Sequence, residues 1–277
     1  MINLNDLTIA IPVKIESSDR YNNLKIVLGY INNYFHTNIK IIEESPDDPK
    51  IDFLDDLKNL NIDYKFYQVD SKQPFHRTKY LNEMIFSTNT KVVSNYDSDV
   101  FLPVKTYIDV VNSILKNDFD FIYPYFFGNG QKQLHYSKWY QSRFAQSEHY
   151  PMWKFVQDWN INHFDTDEEH VKIWPSAYGH SLFANTEIYK KAFGENEEFI
   201  SYGPEDQERA YRFQKLGYKV HWYDGYVYHI EHMRTNDSAM TNPYYKNNCD
   251  IFEYVKKLSE EQLVSYYQQR EYLKKYN

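Results

Sequence analysis

The stretch Lys91–Asp99, which reads KVVSNYDSD, decides the fold of this chain. Its first five residues form a short run around two valines, and such a run predicts a strand. Two aspartates separated by one serine follow it, so polar side chains are expected where this strand ends. The residues before it, Thr78–Phe86, are predicted to form a helix. A helix that leads into a strand in this way is typical of an α/β sheet.

The same alternation of strands and helices extends back towards the N-terminus. In chain order the predicted segments are the strand Leu7–Val13 (LTIAIPV), the helix Arg20–Phe35, the strand Ile39–Glu43, the loop Ser45–Pro49 and the strand Tyr64–Val69. This order predicts βαβ units and therefore an α/β fold with a mixed, mainly parallel sheet flanked by helices. In such sheets ligands bind beyond the carboxyl ends of the strands.

The second half of the chain is less regular. From about Gln131 to Trp174 the periodicity is lost, and this segment is interpreted as irregular cover over the site or as an acceptor-binding insertion. The segments predicted after it are the strand Gly179–Ala184, the helices Glu187–Phe193 and Pro204–Leu216, and strand-like runs at Tyr218–Trp222 and Tyr226–His232. We expect one domain over residues 1–258, with halves at about 1–125 and 126–258. A C-terminal helix is expected over residues 259–277, with Ser259 and Gln262 as a capping box.

Composition excludes some classes of protein. The net charge is −8, from 39 acidic and 31 basic residues, and no basic stripe is present, which argues against nucleic-acid binding. The single cysteine, Cys249, rules out an internal disulfide and a cysteine zinc cluster. No signal peptide and no apolar run long enough to span a membrane is visible. A cytoplasmic enzyme is expected, with peripheral contact at the inner face of the membrane left open.

Asp97, Ser98 and Asp99 are candidates for a metal site. Two carboxylates spaced by one residue can hold a hard divalent cation together with the ribose of a nucleotide, although acidic loops of this kind are often only solvated. His229 and His232 have the spacing of two imidazoles that can meet one ion. Imidazole with carboxylate favours Mn²⁺, and Zn²⁺ stays open. The predicted ligand set is Asp99 with both histidines.

Glu205 and Asp206 follow Gly203 and Pro204 at the predicted start of a helix. Proline suits the first helical turn, and carboxylates there compensate the helix dipole, which is a purely structural explanation. The functional alternative is that one carboxylate accepts a proton from an attacking hydroxyl.

Taken together, four segments resemble a known family, the GT-A galactosyltransferase group of the β-1,4-galactosyltransferase type, with its bacterial capsule and chondroitin-polymerase relatives. The resemblance spans roughly Thr8 to Pro243. The matching segments are Ile11-Pro12-Val13 with Arg20, Phe75-His76-Arg77 with Leu81-Asn82, Asp97-Ser98-Asp99, and Tyr202-Gly203-Pro204-Glu205-Asp206 followed by His229, His232 and Arg234.

The resemblance implies roles for these residues. Most would bind the nucleotide. Phe75 and Arg77 would flank it, and Asp97 would hold its ribose. The other residues predicted to bind it are Pro12, Val13, Arg20, Ser98, Asp99 and Tyr202. Asp99 and His232 match metal ligands, and Asp206 would be the catalytic base, holding the acceptor together with Glu205.

Three positions depart from the family pattern. His229 stands where vertebrate members have a methionine ligand. An imidazole is a harder ligand than a thioether, so the site should be harder than theirs. Tyr202 replaces a tryptophan, and Pro204 replaces a glycine, which stiffens the loop.

The resulting expectation is a metal-dependent, inverting glycosyltransferase of polysaccharide or capsule biosynthesis. It would use Mn²⁺ or another divalent cation and move a hexose or N-acetylhexosamine, with galactose favoured, from a UDP-sugar to a glycan or lipid-linked saccharide. One alternative is a sugar nucleotidyltransferase, but Ile15–Asn23 lacks the glycine-rich loop that would hold a triphosphate. The other is a non-catalytic carbohydrate-binding protein that uses the many aromatic residues, 28 Tyr and 18 Phe.

Overall fold

The computed structural model describes residues 1–135, Glu168 and residues 171–276. Its main sheet has seven strands, which are β1 Ile2–Lys14, β2 Phe35–Ser45, β3 Leu60–Gln68, β4 Val92–Tyr96, β6 Phe121–Tyr123, β9 Ser181–Asn185 and β10 Val220–Trp222. Their spatial order is β10-β6-β9-β4-β1-β2-β3. Six strands run in one direction and β9 runs against its neighbours β4 and β6. The predicted mixed, mainly parallel sheet is confirmed.

Helices cover this sheet and explain its sequence pattern. Their bounds are α1 Ser18–Tyr34, α2 Arg77–Phe86, α3 Val104–Leu115, α4 Thr186–Lys191, α5 Glu205–Lys215, α6 Tyr245–Lys257, α7 Glu260–Gln268 and α8 Glu271–Lys274. Residues 7–13 of β1 are all buried, because a strand covered on both faces needs a continuous apolar run rather than an alternating one. No helix in the described part of the chain is long and apolar enough to cross a membrane.

A second sheet of four strands lies beside the first. Its strands are β5 Val100–Phe101, β7 Gly128–Leu134, β8 Val171–Ser176 and β11 Val227–Ile230, in the spatial order β5-β11-β7-β8. The prediction of irregular structure from Gln131 to Trp174 is therefore wrong at both ends, where β7 and β8 pair antiparallel. Apart from Glu168, the part of that prediction between residues 136 and 170 lies outside the described residues.

The C-terminal segment begins with a capped helix. Ser259 caps α7, and its capping box with Gln262 is formed. The single helix expected over residues 259–277 is instead two, because Arg270 adopts an extended backbone conformation between them. Buried residues Leu263, Tyr267 and Leu273 of these helices form a small apolar cluster with Val255 of α6. The division of residues 1–258 into two halves stays a prediction.

Candidate active site

A cleft of about 430 Å³ opens where β1 and β4 end. Every residue to which the sequence analysis assigned a nucleotide-binding, metal-binding or catalytic role lines it. These are Pro12, Val13, Arg20, Phe75, Arg77, Asp97, Ser98, Asp99, Tyr202, Glu205, Asp206, His229 and His232. Residues separated by more than 200 positions thus meet in one place, which the α/β fold favours because parallel strands end at the same edge of the sheet.

Strand pairing brings Asp99 to the histidines. The strand β5 starts immediately after Asp99 and pairs antiparallel with β11, where Val100 lies opposite His229. The backbone N–H of Ile230 also donates to the carbonyl of Asp99 at 2.8 Å. The chain leaves β11 after Ile230, so His232 lies only two residues beyond the strand. This short antiparallel ladder, rather than the main sheet, brings the three predicted metal ligands together.

The three side chains are spaced as a ligand set. His232 Nε2 lies 3.1 Å from Asp99 Oδ2, and His229 Nε2 lies 3.7 Å from Asp99 Oδ1. One ligand atom from each residue lies within 4.8 Å of the other two. Asp99 is only 6% exposed. A buried carboxylate with two imidazoles supplies the ligand types that Mn²⁺ and Zn²⁺ accept.

In both histidines, the ring nitrogen that does not face Asp99 makes a hydrogen bond. His232 Nδ1 donates to the carbonyl oxygen of Met233 at 2.9 Å, and His229 Nδ1 donates to Gln133 Oε1 at 2.7 Å. Both acceptors are oxygens without a proton, so both Nδ1 atoms carry hydrogen and both Nε2 atoms face Asp99. Metal-binding histidines are typically held in this way by a second hydrogen bond. The donor set therefore fits a divalent cation.

The electrostatics of the cluster agree with this geometry. Burial alone would raise the pKa of Asp99, but His229 and the hydrogen bond from His232 hold that pKa well below its ordinary value. Burial lowers the pKa of His229 to about 3, so this ring is neutral at pH 7. Burial would also lower the pKa of His232, but its hydrogen bond to Asp99 raises it instead. A cation would therefore compete with a proton at His232, and binding should weaken at low pH.

Arg77 is fixed beside Asp97 at the start of α2. Its Nη2 donates to Asp97 Oδ1 at 2.8 Å and to Asn95 Oδ1 at 2.9 Å. Its Nη1 lies 3.5 Å from Asp206 Oδ1 and makes no hydrogen bond among the described residues. Burial opposes the charge of Arg77, but the surrounding carboxylates raise its pKa above the ordinary value. The cleft thus contains a fixed guanidinium cation whose Nη1 can still donate a hydrogen bond.

Glu205 and Asp206 open α5 directly after Pro204, and their environments differ. Asp206 Oδ1 accepts a hydrogen bond from Arg209 at 2.6 Å. Burial would raise the pKa of Asp206, but Arg209 and Arg77 lower it. Burial and repulsion from Asp206 raise the pKa of Glu205 to about 8, and Glu205 Oε2 is buried without a partner among the described residues. These opposite shifts favour an ionised Asp206 beside a protonated Glu205 at neutral pH, a split typical of acid and base pairs.

Further residues of the cleft were missed by the sequence reasoning. Tyr178 and His180 line it between β8 and β9, and His180 has a left-handed backbone with φ of 68°. Arg209 holds Asp206 from one turn further along α5, and Gln133 lies next to His229. Gln133 belongs to the segment interpreted as irregular, and the sequence of β7, GNGQKQL, has no alternation of polar and apolar residues that could have indicated it.

The entrance of the cleft is closed on one side by the segment that follows His232. Lys14 Nζ, at the end of β1, donates to Asp237 Oδ2 at 2.6 Å. Arg20 Nη2, from α1, donates to Ser238 Oγ at 3.4 Å. These contacts hold residues 235–238 against the ends of the elements that carry Pro12, Val13 and Arg20.

Comparison with known proteins identifies the fold. The chain superposes on S. aureus TarS 1-349 with a TM-score of 0.54 at 12% identity, covering 92% of this chain and 67% of that one. For the same protein in complex with UDP-GlcNAc the TM-score is 0.53 at 11% identity, with 92% and 68% covered. A longer TarS structure gives 0.53 at 12% identity and covers 95% of this chain, which spans 42% of that one. The mixed sheet flanked by helices is the GT-A fold of these glycosyltransferases. The sequence matches no protein-family model and no curated protein.

Proposed function

We propose that this protein is an inverting glycosyltransferase that depends on a divalent cation. The donor is a nucleoside diphosphate sugar, with a UDP-hexose or UDP-N-acetylhexosamine of the galactose type favoured. The acceptor is a hydroxyl of a glycan or a lipid-linked saccharide. The observation that carries the proposal is the convergence of Asp99, His229 and His232, from distant parts of the chain, in one cleft at the carboxyl ends of the strands.

The donor side follows from the charges of the cleft. Asp99, His229 and His232 would hold the cation, with Mn²⁺ as the first candidate, and a bound cation neutralises a diphosphate leaving group. The unused donor capacity of Arg77 suits a phosphate oxygen, and Asp97 would accept from a ribose hydroxyl. Support from outside the chain comes from TarS, which shares the fold and has been crystallised with UDP-GlcNAc.

The acceptor side follows from the two carboxyl groups of α5. Asp206 is ionised at neutral pH, so it can accept the proton of the acceptor hydroxyl while that oxygen bonds to the anomeric carbon. The bond from this carbon to the diphosphate breaks on the opposite face, which inverts the configuration. Protonated Glu205 can donate a hydrogen bond to the acceptor. Aromatic rings of Tyr202 and Tyr178 line the same cleft and suit the apolar face of a sugar.

A thermal-shift panel tests the proposal. Wild-type protein is heated with UDP-galactose, UDP-N-acetylgalactosamine, UDP-glucose and UDP-N-acetylglucosamine, each with and without Mn²⁺. A donor at 100 times its Kd should stabilise the native state by about 2.7 kcal/mol. We expect this stabilisation only with Mn²⁺. Asp99→Asn, compared with its own melting temperature without metal, should show none of it. Asp63→Asn, an exposed carboxylate of β3 with a side chain 69% exposed, is the matched control.

Two results would contradict the proposal. The metal assignment is wrong if Asp99→Asn keeps the Mn²⁺-dependent stabilisation. Release of pyrophosphate from UTP and a sugar phosphate would instead identify a nucleotidyltransferase.

A further inference from the structure

A pair of glutamines on β7 lies against the candidate metal site. Side chains alternate between the two faces of a strand, so Gln131 and Gln133 project to the same side while Lys132 and Leu134 are buried on the other. The strand β7 pairs parallel with β11, and the register places Gln133 next to His229. The alternation in β7 and the register with β11 thus bring a primary amide to the imidazole.

These side chains form a chain of hydrogen bonds with a defined direction. Gln133 Oε1 accepts from His229 Nδ1 at 2.7 Å and from Gln131 Nε2 at 2.8 Å. Gln131 Oε1 accepts from His180 Nε2 at 3.0 Å. With the two amides in this orientation each oxygen accepts, so the protons lie on His229 Nδ1 and on His180 Nε2. The two histidines, with ring centroids 5.3 Å apart, are therefore held in opposite tautomers.

We propose that Gln133 is a positioning residue that keeps the proton of His229 on Nδ1, so that Nε2 presents its lone pair to a divalent cation, and that Gln131 orients the amide of Gln133. This inference rests on the proposed metal site. A neutral imidazole has one N–H and can carry it on either nitrogen. Without an acceptor beside Nδ1, the proton can move to Nε2 and bond to Asp99, which blocks ligation at that nitrogen. Loss of such a supporting hydrogen bond typically weakens metal binding by about 10- to 100-fold.

The test measures Mn²⁺ affinity of the full chain by calorimetry, with free Mn²⁺ followed by electron paramagnetic resonance. Gln133→Leu should weaken binding by about 10- to 100-fold. Gln133→Glu keeps an acceptor for Nδ1 and should bind at least as tightly as wild type, which separates the missing acceptor from a general disturbance of β7. Gln131→Leu leaves the acceptor in place and should have a smaller effect than Gln133→Leu. Gln68→Leu, an exposed glutamine of β3, is the control for the substitution itself.

A spectroscopic measurement reads the tautomer directly. In metal-free protein with ¹⁵N-labelled histidine, long-range ¹H–¹⁵N correlation should show His229 protonated at Nδ1 in wild type and at Nε2 in Gln133→Leu. An unchanged tautomer and an unchanged Mn²⁺ affinity in Gln133→Leu would overturn the inference. If wild type binds Mn²⁺ no better than Asp99→Asn, the proposed metal site itself is wrong, which distinguishes the two failures.

Discussion

Replacing Glu205 by glutamine should change how the stability of this protein depends on pH. The carboxyl of Glu205 is buried beside Asp206, and its pKa is raised from the ordinary 4.5 to about 8. Between these values the folded protein keeps a proton that the unfolded chain has released. The contribution of Glu205 to the free energy of unfolding of wild type therefore falls as pH rises, by about 1.4 kcal/mol per pH unit. The amide introduced by Glu205→Gln carries no titrating proton, so this loss should vanish in the variant.

The size of the effect follows from the shift in pKa. A shift in the pKa of Glu205 from 4.5 to about 8 changes the free energy of unfolding by about 5 kcal/mol between pH 4.5 and pH 8. The two proteins should differ little in pH dependence below pH 4.5. Between pH 4.5 and about pH 8 the free energy of unfolding of the variant should rise relative to that of wild type. Above about pH 8 the difference should be constant. A constant offset from the new amide does not affect this slope.

Urea denaturation of both proteins at pH values from 5 to 9, with EDTA present, measures the difference. Subtracting wild type from the variant cancels the other groups that titrate in this range, including His180, whose pKa burial lowers. A difference that stays flat from pH 5 to pH 8 would refute the reasoning, because Glu205 would then titrate as it does in the unfolded chain. A rising difference would also establish that Glu205 is protonated at neutral pH.

Three further predictions concern the same part of the fold. Asp206→Asn should lower the rate of transfer far more than the affinity for the donor, measured by single-turnover kinetics and donor titration; equal losses in both would argue against a proton-accepting role. Arg209→Met should destabilise the fold by about 3 to 5 kcal/mol in urea denaturation, because it removes the guanidinium that pairs with buried Glu195 at 3.0 Å. A loss below about 1 kcal/mol would count against a strong pair. Gly194→Ala should also lower the urea midpoint, since φ is +58° and the new Cβ would overlap Asn82 Oδ1. An unchanged midpoint would contradict both the backbone strain and the overlap.

The local pattern of the sequence was enough to predict most of the main sheet. The runs at Leu7–Val13 and Lys91–Asn95 are strands, and Arg20–Phe35 is a helix to within two residues at its start. These predictions succeed because buried strands and amphipathic helices differ in the spacing of apolar residues. The helix α3 and the short strands β5 and β6 were not predicted, although α3 has apolar residues on one face.

The identity of the candidate site residues was also accessible from the sequence, because carboxylates and imidazoles occur in it at spacings that suit one divalent cation. Asp99, His229 and His232 all line the cleft as expected. Their roles stay predictions until the experiments above are done.

Only the tertiary structure decided how these residues meet and how they are charged. The pairing of β5 with β11 joins Asp99 to His229, and the register of β7 brings Gln133 to the same imidazole. Both are contacts between segments about 100 residues or more apart, which local periodicity does not encode. The opposite pKa shifts of Glu205 and Asp206 have the same origin. They are neighbours in sequence, and burial acts to raise the pKa of both, but the guanidinium groups of Arg209 and Arg77 outweigh burial at Asp206. These effects exist only in the folded chain.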